Sequence, residues 1–169
     1  MARCGYMGCE KPATRSVSYD YDTVFSYCEE HARMVEEELE RQRREQRERE
    51  ERQFEAKKQA SKVLYTEPNE IFFTIREYES RPETYVTLGK KVPYEVYQQL
   101  VKAGALVREK DPEDGNVYYV IRDEQKAAQI LQKYKFKAIL SKEWSARLDK
   151  AAEILRQAGV DPSYLYLKF

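Results

Sequence analysis

The sequence holds little cysteine and almost no histidine, with three cysteines and one histidine among 169 residues. An odd cysteine count argues against a disulfide framework. No apolar run approaches the roughly 18 residues of a membrane-spanning helix, and the first residues lack the apolar stretch of a signal peptide. We therefore expect an intracellular, cytoplasmic protein with no membrane partner, whose cysteines serve as thiolates or metal ligands.

An excess of charge of one sign is also missing. The chain carries 30 basic and 30 acidic residues, so its formal net charge is zero. This balance argues against a protein that binds nucleic acid through its overall charge. Charged residues nevertheless make up 36% of the chain and hydrophobic residues 41%, which predicts that part of the chain lies outside any core.

The pattern along the chain predicts three segments. Residues 1–32 form a small module, with two short strands at residues 17–19 and 24–27 joined by a tight turn. Residues 33–64 form a charged helical spacer, because they contain no glycine or proline and residues 40–53 contain no apolar side chain. Since apolar heptad positions are not sustained, a spacer is favoured over the alternative of a coiled coil.

Residues 65–169 carry most of the predicted core and form the third segment. Apolar periodicity predicts strands, then a helix, a hairpin and two further helices. The strands cover 71–78 and 85–88, the first helix runs from Pro93 to Gly104, the hairpin covers 105–121, the second helix runs from Asp123 to Ala138 and the last from Ser141 to Gly159. This order predicts an α+β fold, in which a small antiparallel sheet and three helices follow the hairpin module and the long charged helix.

All three cysteines and the histidine lie within the first 31 residues. They form two short-spaced pairs, Cys4-x4-Cys9 and Cys28-x2-His31, which are separated by 18 residues. Structural zinc sites commonly take their four ligands from two such pairs separated by a longer loop. The spacing therefore predicts a metal site that uses every cysteine and histidine of the chain.

The local sequence around both pairs supports this interpretation. Gly5 and Gly8 are expected to adopt positive-φ turns that aim the first two sulfurs at one point. Cys28 and His31 lie on one face of the predicted helix start, where the helix N-terminus favours a thiolate. We predict one structural Zn²⁺ per chain, because four protein ligands leave no position for a catalytic water. The alternative is ordinary core cysteines and a surface histidine.

A loop with two ligands, a hairpin and a ligand pair in the first turn of a helix resembles the treble-clef group of zinc fingers. The wording Cys-x4-Cys-x2-Pro-Ala followed by Cys-x2-His-Ala is similar to small Cys3His modules of that kind, over residues 4 to about 35. The first pair has four intervening residues, where two are usual. The resemblance implies zinc binding by Cys4, Cys9, Cys28 and His31, and a module that contacts protein or nucleic acid.

Catalysis is not indicated by the remaining residues. If His31 binds a metal, no histidine is left for general acid–base chemistry or for a Ser or Cys triad. The sequence has no glycine-rich phosphate loop, and no pair among its many carboxylates stands out as an active site. We predict a protein that is not an enzyme, with no small-molecule substrate evident.

A basic and aromatic segment at residues 133–150 is the best candidate for nucleic-acid binding. Residues 133–169 hold eight basic and four acidic residues, so charge is segregated along the chain. Basic side chains could neutralise phosphates while an exposed ring stacks on a base. The alternative is that the aromatic side chains belong to the core. The candidate residues are Lys133, Lys135, Lys137, Lys142, Arg147 and Lys150.

Together these features predict a non-enzymatic, zinc-binding regulatory or adaptor protein that binds a protein assembly. Balanced charge and a helix between two modules suit bridging, and the chain's 14 tyrosines are typical of surfaces that meet partners. The alternative is a DNA- or RNA-binding regulator that uses the zinc finger and the 133–150 segment.

Overall fold

A computed structural model describes residues 2–78 and 81–165, with secondary structure alone given for residues 77–78 and 81–84. The chain divides into two compact units, which we call unit one (Met1–Phe54) and unit two (Glu55–Phe169). The boundary lies inside one long helix. The predicted division at residues 32 and 64 stays a prediction.

Unit one begins with a hairpin of strands β1 (Arg15–Ser18) and β2 (Val24–Tyr27). The strands are antiparallel, with Val17 opposite Phe25. The Asp20 carboxylate closes the turn by accepting the backbone N–H groups of Asp22 at 2.9 Å and Thr23 at 2.8 Å. Asp side chains commonly stabilise turns in this way, and the predicted hairpin is confirmed.

Helix α1 (Glu29–Val63) follows directly. Every side chain from residue 40 to residue 52 is exposed, which confirms a helical stretch with nothing to bury. Buried alanines lie toward the two ends, with Ala32 in unit one and Ala56 and Ala60 in unit two. None of the helices within residues 2–78 and 81–165 is both long and apolar enough to cross a membrane.

Unit two combines strands and helices, and the α+β class is confirmed. Its elements after α1 are β3 (Glu70–Tyr78), β4 (Arg81–Leu88), α2 (Tyr94–Lys102), β5 (Leu106–Lys110), β6 (Val117–Ile121), α3 (Glu124–Lys133), β7 (Lys137–Ile139), α4 (Ser141–Gln157) and a 3₁₀ turn (Pro162–Leu165). Strands β3 and β4 are antiparallel, and β3 also pairs with β7, so the sheet order is β4-β3-β7. Strands β5 and β6 form a separate antiparallel hairpin.

The structure departs from the sequence prediction at β7. The helix expected to run to Ala138 ends at Lys133, and Lys135 adopts a positive φ of 67°. Residues 137–139 then pair in parallel with residues 70–72 of β3. The sheet is therefore mixed and not wholly antiparallel. The physical reason is burial, because the short strand places Ile139 fully inside the core.

Strand β3 is covered on both faces, as the alternation of side chains along a strand allows. Phe72 belongs to a cluster with Trp144 and other residues of α4. Its neighbours Ile71 and Phe73 belong to a second cluster with residues of α2, β5 and α3, including Leu100. Unit two is thus built around one central strand with an apolar core on each side.

Candidate metal centre

The four metal-ligand candidates come from separate parts of unit one. Cys4 and Cys9 lie on the loop before β1, Cys28 follows the last residue of β2, and His31 lies in the first turn of α1. Their ligand atoms all lie within 4.8 Å of one another. The fold therefore brings together residues that are up to 27 positions apart in the sequence.

Three of the distances between these atoms are close to those of a tetrahedral zinc site. His31 Nδ1 lies 3.4 Å from the Cys4 sulfur and 3.2 Å from the Cys28 sulfur, and the sulfurs of Cys9 and Cys28 are 4.0 Å apart. Zinc–sulfur bonds of about 2.3 Å and zinc–nitrogen bonds of about 2.0 Å at tetrahedral angles place sulfur pairs about 3.8 Å apart and sulfur–nitrogen pairs about 3.5 Å apart. The cysteines are free thiols, so the cluster can hold a metal ion.

The backbone of the first loop explains how two sulfurs meet. The N–H of Cys4 donates to the carbonyl of Lys11 at 2.9 Å, and the N–H of Cys9 donates to that of Tyr6 at 3.0 Å. Gly8 has the expected positive φ, 82°. These two hydrogen bonds and the turn at Gly8 fix the backbone of the loop that carries both cysteines.

The expectation for Gly5 is wrong, because its φ is not positive. Gly5 instead meets the second strand closely. Its N–H donates to the carbonyl of Ser26 at 2.8 Å, and a Cβ atom at this position would lie 3.2 Å from the same oxygen. The residue is small because two backbones approach one another, which is the second common use of glycine.

The electrostatics of the cluster favour a cation. Burial raises the pKa of the Cys4 thiol. Hydrogen bonds from the backbone N–H groups of Cys28 and Tyr6 act in the opposite direction and help to lower the pKa to about 6. The backbone N–H of Lys11 lowers the pKa of Cys9, while burial and the sulfurs of Cys4 and Cys28 raise it, so the pKa of Cys9 is raised on balance. Thiolates crowded together in this way repel one another, and a divalent cation removes that repulsion.

The imidazole of His31 is held by stacking as well as by its position on α1. The ring of Tyr6 lies parallel to it, with centroids 4.1 Å apart and an angle of 9° between the planes. Such a contact fixes the orientation of the ring, which is the usual task of groups that surround a metal ligand. Tyr6 therefore contacts a metal-ligand candidate, and the sequence prediction did not include it.

Charged groups connect the hairpin and the loop before it to α1, in addition to the apolar cluster that these elements share. Arg15 donates to both carboxylate oxygens of Glu36, at 2.7 and 2.8 Å, and to Glu29 at 3.2 Å. Lys11 donates to Glu30 at 3.3 Å. Paired Arg–carboxylate bonds of this kind fix geometry better than single contacts, so they orient the second ligand pair relative to the hairpin.

The candidate nucleic-acid residues lie in two stretches of unit two. Lys133, Lys135 and Lys137 follow one another from the end of α3 into β7, whereas Lys142, Arg147 and Lys150 lie on α4. Five of the six are exposed, and Arg147 is half-buried and donates to Glu143 at 3.2 Å. The three residues on α4 lie within an arc of about 140° around the helix axis, at 100° per residue. Their role in binding nucleic acid stays a prediction.

The aromatic residues of that segment are in the core. Trp144 is fully buried and stacks on Phe72, with ring centroids 4.1 Å apart. Tyr134 and Phe136 are half-buried and pack against the second core cluster. The ring of Trp144 is thus not available to stack on a base, although the exposed lysines remain.

A feature that the sequence did not predict is a cleft in unit two. Its lining residues come from β3, from β4 and the segment after it, from α2, from β5 and from β6, so they are spread from Arg76 to Tyr119. Only the fold brings them together. The high tyrosine content was the one sequence signal for such a surface, and it did not identify which tyrosines are involved.

Comparison with protein-family models, with curated proteins and with solved structures finds no match for this chain. The structure itself shows an α+β protein with a Cys3His cluster that could hold a metal ion.

Proposed function

We propose that Cys4, Cys9, Cys28 and His31 hold one structural Zn²⁺. The observation that supports this is the convergence of four ligand atoms within 4.8 Å of one another, at separations close to those of a tetrahedral zinc site. Three sulfurs and one imidazole nitrogen are a donor set that suits zinc. Four protein ligands complete the coordination, so the ion has a structural and not a catalytic role.

The surrounding elements support a treble-clef-like module. Two ligands precede a hairpin, and the other two lie at the start of the helix that follows it. In this arrangement the metal joins the loop to the helix, which the small apolar core of unit one could not do alone.

We infer that the protein is a non-enzymatic adaptor and that unit one binds a partner protein. Large apolar side chains stay exposed on this small unit, with Met7 95%, Val24 57%, Phe25 49% and Met34 48% exposed. Apolar and aromatic side chains are enriched in protein interfaces, and methionine adapts well to a partner surface. The one histidine of the chain lies in the cluster, which agrees with a protein that is not an enzyme.

Elemental analysis tests the metal. We expect one zinc per chain for the wild type and loss of that zinc for Cys9→Ser, because a hydroxyl is a poor zinc ligand. Ser16→Ala, which changes an exposed side chain in the hairpin, is the control and should keep full zinc content. A protein without metal whose hairpin is nevertheless fully folded would contradict the proposal.

Affinity capture tests the partner class. The wild type, a Met7→Glu/Phe25→Ala double variant and Tyr65→Ala should be compared, each with and without nuclease. Tyr65 is 64% exposed and lies in unit two. Capture of one protein that resists nuclease, is lost in the double variant and is retained by Tyr65→Ala would support the adaptor. Capture that nuclease abolishes would favour the alternative, a nucleic-acid-binding regulator.

A further inference from the structure

The cleft in unit two has a volume of about 480 Å³, within the usual range for ligand sites. We call it the tyrosine cleft. Among its described lining side chains three are basic and none is acidic. The residues that matter for its chemistry are Tyr94, Tyr97, Tyr119, Arg76, Lys90 and Lys91.

The tyrosine rings form a connected group with exposed surfaces. Tyr94 is 73% exposed and Tyr119 is 41% exposed. Tyr97 lies between them, with its ring centroid 6.4 Å from that of Tyr94 and 5.3 Å from that of Tyr119. Because Tyr97 supports both neighbours, their outer faces are held in place and can stack on a planar group.

The charge of the cleft suits an anion. Lys91 is exposed, and Lys90 is held at the rim by donating to the carbonyl of Pro68 at 3.1 Å.

We propose that the tyrosine cleft binds a nucleotide unit, with its base stacked against Tyr94 and its phosphate near Lys91 and Arg76. Exposed rings beside basic side chains are the combination that binds nucleotides without sequence preference. An acidic peptide would use the basic groups but not the rings. This site is separate from the metal centre and goes beyond the adaptor function. A free nucleotide and a nucleotide within a single strand share the same chemistry.

Fluorescence polarisation with a fluorescein-labelled single-stranded oligonucleotide tests the proposal, using the full chain loaded with zinc at low ionic strength. We expect Tyr94→Ala to weaken binding about ten-fold, in the range found when a stacking ring is removed, and Tyr94→Phe to bind like the wild type. Lys91→Ala should weaken binding and reduce its salt dependence. Tyr65→Ala removes an exposed ring outside the cleft and should have no effect.

Competition separates the two sources of the ligand. Displacement of the oligonucleotide by an unlabelled mononucleotide would identify a free nucleotide as sufficient, whereas displacement by unlabelled single strand alone would identify a strand. No binding of either ligand would overturn the proposal. Full binding by both Tyr94→Ala and Lys91→Ala would overturn it as well. So would a result in which Lys142→Ala loses binding while the cleft variants keep it. Polyglutamate that competes as well as the nucleotide ligands would also overturn it. Thermal melts of each variant establish that it is folded.

Discussion

The two units of this protein bury very different amounts of apolar surface. Among the described residues of unit one, those that are hydrophobic and buried form one cluster of five, and two of the five are the metal-ligand candidates Cys4 and Cys28. In unit two the central strand β3 carries an apolar cluster on each face, and large side chains such as Trp144 and Phe73 are fully buried. Unit two therefore has the larger store of hydrophobic stabilisation.

This difference shows how one chain can use two sources of stability. A unit with so small a core generally needs a metal, a disulfide or a partner to stay folded. Unit one has free cysteines arranged around one point, and unit two has neither a cysteine nor a histidine. The comparison predicts that the two units respond to different perturbations.

Removal of metal should give the largest effect and should act on unit one alone. Structural zinc contributes on the order of 10 kcal/mol to the folding of zinc-finger peptides. After treatment with a zinc chelator and a reductant, we expect amide protons of the β1–β2 hairpin to exchange rapidly. Amides of β3 should keep their protection. Hydrogen exchange followed by mass spectrometry measures both regions in the same sample.

Adding zinc back provides the control for this experiment, since protection of the hairpin should return. Protection of the hairpin without metal would contradict the claim that unit one needs a metal ion, because unit one would then be stable through its own core. The comparison between the units would also fail if chelation exposed the amides of β3.

The substitution Trp144→Ala tests the complementary case, because it destabilises unit two and leaves unit one unchanged. Trp144 is fully buried and stacks on Phe72, so truncation leaves a large cavity, and we expect a loss of about 3–5 kcal/mol in the free energy of unfolding. Urea unfolding followed by circular dichroism measures the loss. Zinc content should stay at the wild-type value, and a drop in zinc content would show that the units do not depend on separate sources of stability.

Gly89→Ala should have an intermediate effect on unit two. The N–H of Gly89 donates to the backbone carbonyl of Phe72 at 2.9 Å. At this short distance a Cβ atom on residue 89 would overlap the Phe72 ring. Overpacking of this kind costs about 1–3 kcal/mol. The double variant Phe72→Leu/Gly89→Ala tests the cause, because removing the ring should reduce the added cost of the alanine. An equal cost in both backgrounds would place the strain elsewhere.

The sequence was most informative where local chemistry decides the structure. The turn at Asp20 depends on residues that are neighbours in the sequence. The metal-ligand candidates were recognisable because cysteine and histidine in short-spaced pairs are typical of metal sites, and these are Cys4, Cys9, Cys28 and His31. The helix start at Asp123 is similar, since its side chain accepts the Lys126 N–H at 3.0 Å as a cap.

The sequence was less informative where distant residues decide the structure. Ala138 continues a helical spacing, yet it lies in β7, because pairing with β3 buries Ile139 and no local pattern records that partner. Gly5 is small because of Ser26, more than twenty residues away. The tyrosine cleft likewise depends on segments that only the fold brings together.

The smallest effect that we predict compares two helix ends within unit two. In α3, Lys135 has a φ of 67° and donates to the carbonyl of Gln132 at 3.0 Å, while in α4, Gly159 has a φ of 75° and donates to that of Arg156 at 3.0 Å. The two ends share one capping geometry. A left-handed conformation costs a residue with a Cβ about 1–2 kcal/mol. Glycine avoids that cost but loses more backbone entropy on folding, which offsets part of its advantage.

We therefore expect Lys135→Gly to raise the free energy of unfolding by about 0.5–1 kcal/mol and Gly159→Ala to lower it by about 1 kcal/mol. Urea unfolding of the two variants beside the wild type measures both changes. A loss of stability in Lys135→Gly would show that the lysine side chain stabilises the entry into β7 by more than its backbone strain. A gain would show that the left-handed backbone at Lys135 is strained in the wild type.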